Sequence, residues 1–391
     1  MPTIKEKSWG NFMKRRSAFI LSGVGIAVAA CFGGTYGFLK SARFGAIPAS
    51  TAAFKTCPHF YDGVFHNTLP TPVLTDNSSF IGAFAKSFLT EKIDPEPTRD
   101  LPTVKIDLET LNRQIDTVIW LGHSSFFIQL SGKRILIDPV LSDHAAPVSF
   151  STRAFKGTNI YHPSEFPTVD LLIVSHDHWD HLDYPTINSL RHKIKEIVCP
   201  LGTDAHFLRW GFQPEHLHPL DWNQSYIVSE NLMVTALEAR HYSGRSLDQN
   251  KSFWASFLLQ TTNYKIFFSG DSGYSPHFKD IGNRYGAVDL ALLDSGQYNE
   301  RWRYIHMNPD EALQAAKDLR AQNFIPAHIG KFCISMHPWY EPFDRLKIGA
   351  LKSGVRLITP KIGQPLELTK QIPLQPVWWE ENKNLSQKQQ P

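Results

Sequence analysis

Cysteine is scarce in this chain of 391 residues. Cys31, Cys57, Cys199 and Cys333 stand far apart with no Cys-x-x-Cys pair, which excludes a disulfide scaffold and a Cys-ligated structural zinc. An excess of charge of one sign is also missing. Forty Lys and Arg against 37 Asp and Glu leave a formal net charge of +3, spread along the chain with no basic block, so nucleic acid is not indicated as a partner. No internal repeat of fixed period is visible, although two diverged β-rich halves would escape inspection. What the chain has in quantity is histidine and tryptophan, 17 and 10 residues. Histidine is the side chain most used for metal ligation and for titration near neutrality. A hydrophobic content of 42% is enough for one large core or two ordinary ones.

Long hydrophobic runs are rare too, with one exception at the N-terminus. Lys14-Arg15-Arg16 precedes an uncharged stretch from Ser17 to Leu39, which as a helix would extend roughly 34 Å, enough to cross a bilayer. Lys5, Lys7, Lys14, Arg15 and Arg16 precede it and fewer basic residues follow closely. The positive-inside rule then leaves the N-terminus in the cytoplasm and the rest on the extracytoplasmic side, the periplasm in a bacterium. A signal anchor over 17–39 is the preferred reading. A cleaved signal peptide releasing a secreted enzyme, and a lipoprotein signal modified at Cys31 after Val28-Ala29-Ala30, remain open. Residues 1–16 form a basic N-terminal segment, and 40–114, with prolines at 48, 58, 70, 72, 95, 97 and 102, an irregular lead-in wrapping the core.

A catalytic domain is expected over 115–370, followed by a polar tail, 371–391. Thr117–Leu121, Phe126–Leu130 and Arg134–Asp138 are short β-rich runs separated by turn residues. Further strands are expected at Leu171–Ser175, Leu232–Ala236, Ser256–Gln260, Lys265–Ser269 and Leu290–Leu293. A helix follows at Pro309–Leu319, capped by Asn308 with Asp310 and Glu311 in its first turn. Strand clusters alternating with helices imply an α/β (α+β) arrangement, sheets faced by helices.

The chemistry sits in Ser175-His-Asp-His-Trp-Asp-His-Leu-Asp183, directly after the apolar run Leu171–Val174. Two histidines separated by one residue, His176 and His178, can turn both imidazoles toward one ion, while Asp180 and His181 serve a second beside it. Imidazole and carboxylate are ligand types that zinc accepts. A helix near Tyr184 to Arg191 would make the motif a tight strand-to-helix loop. Three later residues share that context, each where an apolar run gives way to a loop containing Gly or Pro: His241 in Ala-Arg-His-Tyr-Ser-Gly, Asp271 in Gly-Asp-Ser-Gly and His328 in Pro-Ala-His-Ile-Gly.

These motifs, with Trp120-Leu-Gly-His-Ser124 and Ile137-Asp-Pro139, resemble the metallo-β-lactamase fold superfamily, and within it the branch of N-acylphosphatidylethanolamine-hydrolysing phospholipase D. The likeness runs from about Asp116 to Pro365, and Cys57 to Asn67 resembles that branch's lead-in. The resemblance implies a four-layer αββα sandwich and two Zn2+ per chain, other divalent metals being possible. It gives one ion to His176, His178 and His241, the other to Asp180, His181 and His328, and makes Asp271 the bridge. Asp180, Asp271 and His306 would be catalytic, with Tyr298 and His306 contacting substrate. Gly296 to His306 looks like the family's substrate loop but departs from it at Gln297 and Asn299-Glu300. Seven such ligands leave room for a shared water whose pKa the ions lower toward neutrality.

Three classes follow: a phosphodiesterase of phospholipase D type acting on N-acylphosphatidylethanolamine or related phospholipids at a membrane, a metallohydrolase of another ester, lactone or lactam, and a non-enzymatic metal-binding membrane protein. A homodimer is compatible with all three. The uncharged N-terminal run predicts that the full-length chain fractionates with membranes and resists extraction by alkaline carbonate; release into the supernatant would rule out a spanning or lipid anchor.

Overall fold

The computed structural model describes residues 37–76, 90–246 and 248–383. The expected spanning helix therefore lies outside the described residues for all but its last three positions. Among the described residues no helix is long and apolar enough to cross a membrane. The chain divides into two units, one ending at Phe44 and one beginning at Gly45. The described part of the first holds a 3-10 turn, Ala42–Phe44, with the Phe38 and Phe44 rings edge to face at 5.3 Å.

The second unit opens with helix α1 (Ala52–Thr56) and a small hairpin of β1 (Phe60–Tyr61) and β2 (Val64–Phe65). Strands β3 (Thr117–Trp120), β4 (Phe126–Leu130), β5 (Lys133–Ile137), β6 (Val169–Ile173), β7 (Ile194–Pro200) and β8 (Leu217–Leu220) build the first large sheet. Strands β9 (Ser225–Ser229), β10 (Leu232–Leu237), β11 (Ser256–Gln260), β12 (Lys265–Phe268), β13 (Leu290–Asp294) and β14 (Asn323–Ala327) build the second. A last strand, β15 (Pro365–Glu367), returns to pair with β3. Helices α2 (Tyr184–Leu190) and α3 (Asp204–Arg209) belong to the first half, and α4 (His277–Tyr285), α5 (Pro309–Asp318) and α6 (Glu341–Ser353) to the second.

Both sheets follow one plan. An antiparallel meander, β3 to β5 or β9 to β12, passes into parallel strands, β6 to β8 or β13 and β14. Parallel neighbours need crossovers, and α2 after β6, α4 after β12 and α5 after β13 fall in those connections. Because successive strand residues face opposite ways, alternate positions feed separate cores. Phe126, Ile128 and Leu130 of β4 meet Phe257 and Leu259 of β11, Ile266 and Phe268 of β12, and Leu290 and Leu292 of β13 in one large cluster. Leu258, Phe267, Ala291 and Leu293 face the other way and pack under Phe278, Ala312, Leu313 and Leu346 of α4, α5 and α6. The result is a mixed α/β, sheet-rich body.

The strands that sequence patterning does not pick out are those with mixed faces. β7 starts on Ile-Lys-Glu before turning apolar, β8 carries Pro219 at a sheet edge, where its missing N–H is tolerated, and Ile227 of edge strand β9 is exposed. The helix ends conform more closely to expectation. Asn308 Oδ1 accepts from the Asp310 and Glu311 amides at 2.9 and 3.1 Å, and Glu311 accepts from the Asn308 amide at 3.0 Å, a reciprocal cap for α5. The described part of the expected polar tail differs. Ile372, Trp378 and Trp379 are buried in the core between the sheets, Trp379 stacks on Phe343 at 5.0 Å, and its indole donates to Asp344 at 2.9 Å. Replacing Trp379 by Ala should therefore cost about 3–5 kcal/mol in a urea titration; a change under about 0.5 kcal/mol, the usual effect of a surface substitution, would return this segment to the solvent.

Candidate metal centre

The parallel strands of both sheets end on the same chemistry. Asp138 follows β5, Ser175 and His176 follow β6, Asp271 follows β12, Asp294 closes β13 and His328 follows β14. Side chains at the carboxyl ends of parallel strands converge on one crevice, and His241 reaches it from the loop after β10. Two of the glycines around Asp271 permit the approach. A Cβ on Gly270, which has φ +57°, would sit 2.8 Å from the Ser175 side chain, and one on Gly273 would sit 2.0 Å from the Tyr304 carbonyl oxygen.

His176, His178, His241 and Asp271 form one group of ligand atoms. His178 Nδ1 lies 2.9 Å from His176 Nε2 and 3.2 Å from His241 Nε2, and Asp271 Oδ2 is 3.8 Å from each of the latter two. Ligands of a tetrahedral zinc at 2.0–2.1 Å stand roughly 3.3 Å apart. Asp180, His181 and His328 form a second group, which includes His123. Asp180 Oδ2 is 2.9 Å from His123 Nε2, 3.1 Å from His328 Nε2 and 3.6 Å from His181 Nε2. Asp271 Oδ2 stands between the groups, 3.0 Å from His181 Nε2 and 3.3 Å from His328 Nε2.

The donor set fits cations. Three imidazole nitrogens meet at His178 Nδ1, where shared protons cannot satisfy every lone pair, and Asp271 Oδ1 is buried without a hydrogen-bond partner among the described residues. The outer nitrogens fix the tautomers. His181 Nδ1 donates to Asp138 Oδ2 at 2.7 Å and His241 Nδ1 donates to the Ile305 carbonyl at 2.9 Å, so both rings turn their Nε2 lone pairs inward. Asp138 is fixed in turn by the Ser175 amide at 2.7 Å and hydroxyl at 2.5 Å. Burial and the neighbouring histidines' charge hold His176 well below its ordinary pKa. Burial opposes charge on His181 as well, yet the Asp271 and Asp180 carboxylates outweigh it and raise that ring well above the ordinary value. The buried carboxylates thus call for positive charge at the place where two ions would supply it.

The supporting residues are those that motif reading passed over. Asp177 points away from the cluster and accepts from the Gly244 amide at 2.7 Å, the Ser252 hydroxyl at 2.7 Å and His206 Nε2 at 3.1 Å. Arg245 donates to the carbonyls of Asp177 and Leu182 at 2.8 and 2.6 Å, with its guanidinium 4.1 Å from the centre of the Trp179 ring. It staples the motif loop from both ends. Asn67, from the lead-in, exchanges hydrogen bonds with the His241 backbone at 2.7 and 3.1 Å. His123, Asp138 and His328 all adopt positive φ, 54°, 40° and 63°, a backbone cost that clusters at functional sites. Asp138 and Asp294, like His241, lie just past apolar strands, and that signal would have found them.

All seven residues read as ligands come together, and His306 joins them, its Nδ1 3.9 Å from Asp271 Oδ2. Tyr298 does not. Its hydroxyl donates to Glu341 at 2.6 Å and its ring stacks on His337 at 4.5 Å, a brace to α6. Gln297, where the substrate loop departs from the resembled pattern, serves the loop after His328. It donates to the carbonyls of His328 and Phe332 at 3.3 and 3.0 Å and accepts from the amides of Ile334 and Ser335 at 2.8 and 2.9 Å.

A family model described as the beta-lactamase superfamily domain matches residues 133–329. An uncharacterised protein of Mycobacterium tuberculosis is 35% identical over 348 residues, 86% of this chain and 92% of the relative. An N-acyl-phosphatidylethanolamine-hydrolyzing phospholipase D of Caenorhabditis elegans is 34% identical over 247 residues, 58% of this chain and 68% of the relative. Among solved structures, the isothiocyanate hydrolase from Delia radicum gut bacteria superposes with a TM-score of 0.52 at 19% identity, covering 65% of this chain and 100% of that one, a likeness of fold.

Asp271→Ala should lower bound metal from about two ions per chain to one or none, because it removes the carboxylate that both groups share. Elemental analysis, with circular dichroism to show that the fold persists, measures this; a variant retaining both ions would take the bridging role away from Asp271.

Proposed function

Because the chain belongs to the beta-lactamase superfamily and is a metal-dependent hydrolase, we propose that it is a zinc-dependent phosphodiesterase of phospholipase D type, acting on N-acylphosphatidylethanolamine or related phospholipids. The observation that carries the reading is Asp271 Oδ2 lying between two sets of inward-facing ligand atoms, the arrangement a two-ion hydrolytic site needs. The likeness to the nematode phospholipase D supports the choice of phosphodiester. His176, His178, His241 and Asp271 would hold one zinc, and Asp180, His181, His328 and Asp271 the other. Bound there, the pair supplies Lewis acidity and a water of lowered pKa.

The protein's own groups do the rest. Asp180, whose Oδ2 accepts from His123 at 2.9 Å, would orient the attacking water. In the metal-free protein burial and the charge of His328 hold the His123 pKa down to about 3. His178 and His306 are the two rings of the cluster that are only partly buried, which puts the substrate's approach on their side and His306 within reach of a phosphate or its leaving group. We place the enzyme on a membrane, tethered through 17–39 with its catalytic part extracytoplasmic, where a phospholipid substrate resides.

Purified full-length protein in detergent should release N-acylethanolamine and phosphatidate from N-acylphosphatidylethanolamine, lose the activity to a chelator and regain it with zinc. A lactone and a cephalosporin serve as the competing substrates, and turnover of either in the absence of phosphodiester cleavage would replace this reading with the ester, lactone or lactam class.

A further inference from the structure

Asp294 is outside the seven-residue set, yet it is completely buried and its two oxygens face two imidazoles. Oδ2 accepts from His306 Nδ1 at 2.9 Å. Oδ1 lies 3.4 Å from His328 Nδ1, within ion-pair reach but not aligned as a hydrogen bond. The carboxylate is itself anchored by the Ser272 amide at 3.2 Å and the Gly296 amide at 3.3 Å. Ionised, it can only accept, so His306 Nδ1 must carry a proton. The other ring nitrogen, Nε2, makes no hydrogen bond with the described residues. His306 also stacks on His328, centroids 4.8 Å apart and planes 21° from parallel. One face of the ring and one nitrogen are therefore fixed by the protein, and the second nitrogen is left for the substrate.

We propose that Asp294 is a positioning residue that makes His306 the general acid for the leaving group, and that the site is accordingly built for esters of ordinary alcohols. The inference rests on the hydrolytic reading above and deepens it. As the bond between phosphorus and the leaving oxygen breaks, its electron pair takes the Nε2 proton of the His306 imidazolium and the group departs as a neutral alcohol. His306 is left neutral and is recharged by the proton that the attacking water gives up. Asp294 accepts from Nδ1 at 2.9 Å and holds the ring in register, as a carboxylate does for an acid–base histidine. Leaving groups that depart readily as anions, such as nitrophenolate, have little need of this device. Alkoxides, which are poor leaving groups, gain most from it.

The test compares two phosphodiesters of one phosphatidic acid, an ethanolamide-type alkyl ester and a p-nitrophenyl ester, on the zinc-loaded full-length protein and two variants. Asp294→Asn keeps the shape but not the charge, and His306→Ala removes the acid itself. Both should lower kcat on the alkyl ester by roughly 10²–10³-fold, with zinc content retained and the loss on the p-nitrophenyl ester at least about 10-fold smaller than that on the alkyl ester. The metal-free protein provides a readout independent of turnover: its imidazole 1H–15N spectrum should contain a protected Nδ1–H resonance that both variants lose. Equal losses on the two esters, loss of zinc from Asp294→Asn, or absence of that resonance in the wild type would each overturn the inference. A wild-type protein that cleaves neither ester counts against the proposed function and takes this inference with it, whereas an active wild type with unselective losses overturns the inference alone.

Discussion

One buried carboxylate constrains most of this structure. Asp271 Oδ2 lies within 3.0–3.9 Å of nitrogens on His176, His181, His241, His306 and His328. An ionised carboxylate so far from water is stable only with countercharge and donors around it. Those five rings come from four different connections, His176 and His181 sharing one, so the strands that deliver them have to end at one level. The shared plan of the two sheets meets that demand, because each places the carboxyl ends of its parallel strands on the crevice. The glycines beside Asp271 follow from the same demand, since any side chain there would hold the loops apart.

The clustering of the possible ligands was legible because ligand chemistry is local: His-x-His-x-Asp-His after an apolar run is a pattern within one loop, and His241, Asp271 and His328 repeat its context. The meander, the α5 cap and the strand-to-helix turn at Asp183 were legible for the same reason. What escaped reading depends on pairs far apart in the chain. Nothing around Asn67 says that it will meet His241, and Asp177, inside the most informative motif, has no legible role until its partners Gly244, Ser252 and His206 are seen. The tail was misjudged because its composition is polar overall, while its burial rests on a few large side chains, Ile372, Trp378 and Trp379. Tyr298, read with the substrate loop, takes its partner Glu341 from a helix that lies later in the chain.

The motif loop is rigid for reasons separate from its ligands. Arg245 ties both of its ends, Asp177 anchors its middle to a different strand connection, and Asp183 caps α2 through the Thr186 amide at 3.3 Å. Ligands set this firmly are held near their final geometry before any ion arrives, which lowers the reorganisation that binding would otherwise require.

Asn67 and His241 are 174 positions apart and joined by two hydrogen bonds between the Asn67 side-chain amide and the His241 backbone. Contacts of such separation close late, since the entropy of the intervening loop is lost before they form. On a ribosome, Asn67 emerges long before its partner exists, and the lead-in has to wait, undocked, through the synthesis of β3 to β10. His241 acquires its final orientation only when that oldest segment returns. An ion gripped by all of its ligands is thus evidence of completed folding, and a chain interrupted before the lead-in docks would show this as weak metal retention before any loss of secondary structure.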